Sequence, residues 1–260
     1  MGSRFLRLAQ VLTWCLAALC LAATLAFVPA SAADKASAEG LRSAFRDAAR
    51  DAKLTDELDP AYELLGIAEA AQQQEIPQLA AEAAGSFADL VKRAAAKALK
   101  AGGELAEVTL DQFVDLRFMA RSANLTLPQA ALDDAITKLF PNVRTALEAK
   151  FNQAAEWTDK RAAVDELADL QASATQLMND ELAGDMATAF DRKAAELETL
   201  AGQAEDEESR TQMRDALAET RKLRDDRVAD AKTNNINAVA ALMQNQREDH
   251  EDGGGNVETQ

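Results

Sequence analysis

Histidine occurs once, at His250, and cysteine twice, at Cys15 and Cys20, both inside an N-terminal apolar run. Residues 33–249 therefore contain neither, which removes Ser-His and Cys-His nucleophile systems from that stretch. Thiolate zinc, haem, iron–sulfur and Glu-x-x-His di-iron ligand sets go with them. His250, within Arg247-Glu-Asp-His-Glu-Asp252, is the one weak candidate for gathering a divalent cation. Ordering a flexible segment costs ~1–2 kcal/mol per residue, so no metal site is assigned and no cofactor is expected.

Basic residues are also scarce. Lys and Arg number 28 against 44 Asp and Glu, a net charge of −16, and no basic stripe appears anywhere. Phosphate backbones and anionic lipids are bound by clustered Lys and Arg, so nucleic acid and anionic membrane surfaces are excluded as partners. Aromatic residues make up 5% of the chain, too few to line a sugar cleft. The carboxylate pairs Asp133-Asp134 and Asp225-Asp226 and the run Glu205–Glu208 could in principle serve glycoside hydrolysis. Adjacent acids point in different directions around a helix, so they are read as solvated faces, and no catalytic residue is assigned. The run at 205–208 stands where acidic side chains favour the positive end of a new helix.

What is present begins with Arg4 and Arg7, an apolar stretch from Leu8 to Val28, and Pro29-Ala-Ser-Ala32. A basic start, an apolar middle and an Ala-x-Ala step predict a secretory signal over residues 1–32, cleaved after Ala32. An uncleaved membrane anchor is the alternative, because about 20 apolar residues can span a bilayer. Residues 1–32 hold two arginines and no acid, so their loss shifts the net charge from −16 to −18. The expected location is the periplasm or the extracellular space. Asn124-Leu-Thr126 fits a glycosylation sequon, which matters only in a eukaryotic secretory pathway.

From residue 33 the chain is dominated by strong helix formers, with few β-branched residues and no long alternating pattern. Apolar residues recur at helical spacing. Examples are Leu41, Phe45, Ala48 and Ala52; Ala83, Phe87, Leu90, Ala94 and Ala98; Val164, Leu167, Ala168, Ala174 and Leu177; Phe190, Ala194, Leu197 and Ala201; and Met213, Leu217, Thr220 and Leu223. The fold class is all-α, a multi-helix bundle of antiparallel amphipathic helices with longer helices in the C-terminal part and no β-sheet. Breaks at Asp59-Pro60, Ile76-Pro77, Gly102-Gly103, Asn124–Pro128, Phe140-Pro141, Gly184 and Gly202 predict nine or ten helices. Rising charge and the loss of proline after residue 157 predict a compact domain over 33–156 and an elongated hairpin or three-helix bundle over 157–248. The Gly, Tyr and Pro signature of tetratricopeptide repeats is missing, and the glycine-rich tail 249–260 is expected to be disordered. Trp157 is expected to pack at the junction, with its ring nitrogen hydrogen-bonded.

One phrase occurs twice, Val-Thr-Leu-Asp-Gln at 108–112 and Leu-Thr-Leu-Pro-Gln at 125–129. Thr109 and Gln112 have the spacing of a reciprocal capping box, and Thr126 and Asp59 stand at two further predicted helix starts. The spacing predicts a short helix over about 109–123, with Asn124 ending it. The phrase also resembles the Leu-Thr-x-x-Gln signature of small periplasmic chaperones of the Spy and CpxP type. That resemblance covers ten residues and implies a helical, exported chaperone with a basic client-binding surface, which this acidic composition does not suggest.

The functional expectation is an exported, non-enzymatic helical binding protein (scaffold, adaptor or chaperone-like module) that engages a protein partner through helix faces. The alternative is a structural envelope protein that self-associates through its C-terminal helices. A carboxylate-based enzyme acting on polysaccharide or peptidoglycan is the third reading.

Overall fold

The fold follows from where each apolar stripe finds cover. A computed structural model describes the backbone of residues 30–252 and the side chains of residues 37–236. Within the described residues there are eight helices and no strand. They are α1 (Ala30–Leu54), α2 (Asp59–Gln73), α3 (Pro77–Ala101), α4 (Gly103–Ser122), α5 (Thr126–Gln153), α6 (Trp157–Gln176), α7 (Asp180–Gly202) and α8 (Glu207–Asp252). The predicted signal lies outside the described residues up to position 29, as does the predicted tail from position 253. The longest helix is the last, and none of the described helices is long and apolar enough to cross a membrane.

Three junctions share one geometry. Asn124 has φ +53°, and the N–H groups of Asn124 and Leu125 donate to the carbonyls of Arg121 and Ala120. Glu75 and Ile76 repeat this pair of bonds with Gln72 and Ala71, and Met178 and Asn179 repeat it with Thr175 and Ala174. Each is a Schellman turn with one left-handed residue, and the residue after it is already the N-cap of the next helix. The result is three tight antiparallel hairpins, α2–α3, α4–α5 and α6–α7. A non-glycine residue in this conformation costs about 1–2 kcal/mol, and burial of both helices on either side offsets it.

The hairpins stack in series. Extensive helix contacts join each element only to the next or the next but one. Polar pairs give the directions. Arg161 reaches Glu219 and Thr220, Arg227 reaches Asp169, and Asn235 donates to the Thr175 carbonyl, so α8 runs parallel to α6. Arg221 with Glu198 and Arg224 with Asp191 run in opposite senses, so α8 is antiparallel to α7. Odd-numbered helices form one layer and even-numbered helices the other. One apolar core continues from Ala48 to Leu217, passing through the expected boundary at residues 156 and 157.

At that boundary the second and third hairpins are locked together. The Phe151 ring, 2% exposed, has the Lys160 ammonium 4.9 Å and the Lys193 ammonium 4.5 Å from its centroid. Lys160 donates to the Phe151 carbonyl at the end of α5, and buried Lys193 donates to Asn152 and Glu196. Trp157 packs against the core as expected, its ring N–H donating to the Leu197 carbonyl at 3.2 Å.

Several boundaries are corrected. Neither Phe140-Pro141 nor Gly184 ends a helix, since α5 runs through Pro141 and Gly184 lies inside α7. Proline inside a helix costs about 3 kcal/mol, but Leu139, Phe140, Val143 and Leu147 are buried around it, each worth about 1.5–3 kcal/mol. The buried face of α8 turns away from Leu223, which is 39% exposed. Arg224 takes its place, with its guanidinium 4.6 Å from the Phe190 ring centroid, and the face continues to Ala231 and Asn235.

The predicted caps are also corrected. Thr109 lies two turns inside α4 and is buried, so Thr109 and Gln112 cap nothing. Thr126 and Asp59 are already the first residues of α5 and α2, one step too far in to receive the orphan N–H groups. The side chains that cap are Asn179, which accepts from Leu182 N–H at 3.0 Å, and Asp206, which accepts from Ser209 N–H at 2.7 Å. Asn179→Ala is therefore expected to lower stability by about 1 kcal/mol, and Thr126→Ala by less than about 0.5 kcal/mol. Urea unfolding of the two variants checks this, and equal losses would show that the Asn179 bond contributes nothing.

Candidate functional site

Helix α4 has a helix on either side of it in its layer and packs closely on neither. It packs on α5 and α3, meets α2 slightly and makes at most marginal contact with α6, whereas α6 and α8 pack closely. Its inward face is Ala106, Thr109, Leu110, Phe113, Leu116 and Ala120, all buried. The outward face has Glu104, Glu107, Asp111 and Asp115 recurring at helical spacing. Leu105, Val108, Phe118 and Met119 flank these acids, each 40–45% exposed. Leu127 and Met178 extend the apolar fringe at one end, with Met178 Sδ 2.8 Å from an Arg121 guanidinium nitrogen.

Arg117 is held away from this face by a two-pronged bond to Asp133, at 2.6 and 3.2 Å. Among the described residues, Glu104, Glu107 and Asp115 form no ion pair. Burial raises the pKa of Glu107, and the negative Glu166 raises it further while Lys150 opposes the shift. Asp115 is raised by burial alone. Tyr62, on α2, is pushed up to about 12, first by burial and then by the negative charges of Asp115 and Asp59. The exposed carboxylates thus stand in a partly desolvated field of their own sign, which favours a positive partner.

This arrangement supplies no evident acid–base pair. Glu107 and Asp115 are eight residues apart on one helix, an axial separation of ~12 Å, and they face different neighbours, α6 and α2. That exceeds the ~5–9.5 Å used by paired carboxylates in glycoside hydrolysis. A 590 Å³ depression between α5 and α6 is lined by Ala146, Ala149 and Ala162 with Lys150 and Asp159, and holds no second facing carboxylate. Asp133 and Asp134 are engaged by Arg117 and Lys138, and Asp225 by Arg224. Among the described residues no three potential ligands converge on a point that could hold a metal ion. The side chain of His250 lies outside the described residues.

Fold and face together define an all-α bundle of serial hairpins with an acidic and apolar helix face left open. No family model, no curated protein and no solved structure matches the chain. In the sequence Val108 and Thr109 have the pattern of a helix start, which hides this face. The signal that could have found it is the acid spacing at 104, 107, 111 and 115.

A carboxylate whose folded-state pKa is raised stabilises the fold below its unfolded pKa and loses that contribution as pH rises through the folded value. Asp115→Asn is therefore expected to raise stability at pH 7, with the gain vanishing below about pH 4. It is also expected to bring the Tyr62 phenol below about 12. Urea unfolding at both pH values, with ultraviolet titration of the single tyrosine, checks both outcomes.

Proposed function

We propose that the chain is an exported, non-enzymatic helical scaffold that binds a protein partner through the outward face of α4. The observation that carries this reading is two pairs of half-exposed apolar side chains, Leu105 with Val108 and Phe118 with Met119, on the helix face that also bears unpaired Glu104, Glu107 and Asp115. Exposed apolar side chains grouped with polar ones on one face mark interaction sites on soluble proteins. The acids select a partner whose apolar residues are interleaved with Lys or Arg, and like-charged competitors are rejected. The Arg4–Ala32 segment supports export. A photo-reactive amino acid placed at Val108 in the producing cell is expected to give a discrete cross-linked protein species. The same probe at Thr199, exposed on α7, is expected to give none. Equal yields at the two positions would remove the reading.

One observation favours the structural alternative. Beyond Asn235, which meets α6 near its end, α8 continues as helix to Asp252. A helix extending past its neighbours is a means of self-association. Truncation after Asn235 leaves Leu217, Thr220 and Ala231 in place. On this second reading it converts an oligomer into a folded monomer, as measured by light scattering. An oligomer unchanged by the truncation would discard it.

A further inference from the structure

The opposite layer of the molecule carries a surface whose charge is the converse of the α4 face. Between α1 and the start of α3 lies a groove of 450 Å³, lined by Arg42, Phe45 and Arg46 on one side and Ile76, Gln78, Leu79 and Glu82 on the other. No α2 residue lines it, so it opens away from α2, on the odd-numbered layer. Its floor is apolar, with Leu79 buried and Phe45 and Ile76 partly buried. Its α1 rim has two exposed guanidinium groups, four residues apart. Arg46 donates to the Arg42 carbonyl through Nε, and neither arginine forms an ion pair with a carboxylate among the described residues. Glu82, on the far rim, accepts a hydrogen bond from Gln78 at 3.1 Å.

Unpaired arginines are unusual here, where acids outnumber bases 44 to 28 and most other arginines of the described region reach a carboxylate. The face on α4 is the converse, with Glu104, Glu107 and Asp115 outside any ion pair among the described residues and Leu105 and Val108 beside them. Charges on both helices recur at about the same axial step, ~5–6 Å per turn. Both surfaces combine apolar and charged side chains, with opposite sign: the groove has an apolar floor and a basic rim, and on α4 apolar side chains flank the acids. They lie on opposite layers, so they cannot meet within one molecule.

We propose that the occupant of the α4 face is the α1–α3 groove of a second copy of this chain. The contact is heterologous: the even-numbered layer of one copy meets the odd-numbered layer of the next, and each copy keeps one free surface of each kind. Such contacts build rings or open filaments rather than closed two-fold dimers. The inference rests on the reading of α4 as the binding face and names its partner.

Paired charge reversals on the full chain test it, with sedimentation and light scattering as the readout. Arg42→Glu with Arg46→Glu makes the groove acidic, and Glu104→Lys, Glu107→Lys and Asp115→Lys make the α4 face basic. The wild type is expected to assemble, with at least tenfold weaker association on going from 50 to 500 mM salt, since exposed charge pairs are screened over ~3–10 Å. Each variant alone is expected to be monomeric with unchanged helicity by circular dichroism. An equimolar mixture of the two is expected to recover assembly, because every surface then finds one of opposite sign. A monomeric wild type, variants that assemble alone as the wild type does, or a mixture that stays monomeric would each overturn the proposal. If the chain is monomeric while the Val108 probe still captures a different protein, the α4 reading stands and only the second copy is lost. If the probe captures nothing and the wild type still assembles through other surfaces, both fail.

Discussion

Each helix of this chain buries one apolar stripe against the next helix and the next but one, and the rest of the structure depends on that pairing in series. The stripes are rich in alanine, with Ala61, Ala68, Ala83, Ala106, Ala163, Ala174 and Ala201 fully enclosed. Larger side chains such as Phe87, Phe113, Phe140, Phe151 and Phe190 fill the spaces between them. Alanine carries no side-chain entropy cost and lets backbones approach, while each phenylalanine brings the larger apolar area that drives burial. A core of this kind needs neither disulfides nor metal.

Series packing gives the molecule a direction and two unlike layers. Where hairpins meet, the joint is partly polar, as around Phe151, Lys193 and Trp157. Lys193 is 5% exposed and finds Asn152, Glu196 and the Phe151 ring, so its charge is fully engaged, as a buried ammonium requires. Joints of this sort fix the rotation of one hairpin on the next. Within the even-numbered layer α6 and α8 pack closely, while α4 has little cover on either side.

The open α4 face is therefore a consequence of packing more than of its own composition. Its acids and apolar residues would be ordinary on a covered helix. Left between two gaps, they form a surface on which exposed carbon and negative charge coincide, and the partly desolvated Asp115 and the phenol of Tyr62 register that crowding electrostatically. The α1–α3 groove carries the complementary pattern on the other layer.

Composition and periodicity determined the all-α class, the identity of most core residues and several helix ends, because helical spacing and Gly or Pro breaks act locally. The run at 205–208 marked the start of α8 for the same reason, since Asp206 satisfies orphan N–H groups within its own turn. Thr109 was legible as a cap and Pro141 as a break, yet neither acts so. The burial of Ala106 and of Thr109 itself carries α4 back to Gly103, and that of Phe140 and Val143 carries α5 through the proline. Of the three left-handed turns, that at Asn124 was legible in the sequence, whereas Glu75 and Met178 are not residue types that announce one. The turns exist because the flanking helices must fold back to cover their stripes. Local chemistry is written residue by residue, whereas the order of stacking and the exposure of α4 depend on contacts between helices distant in sequence.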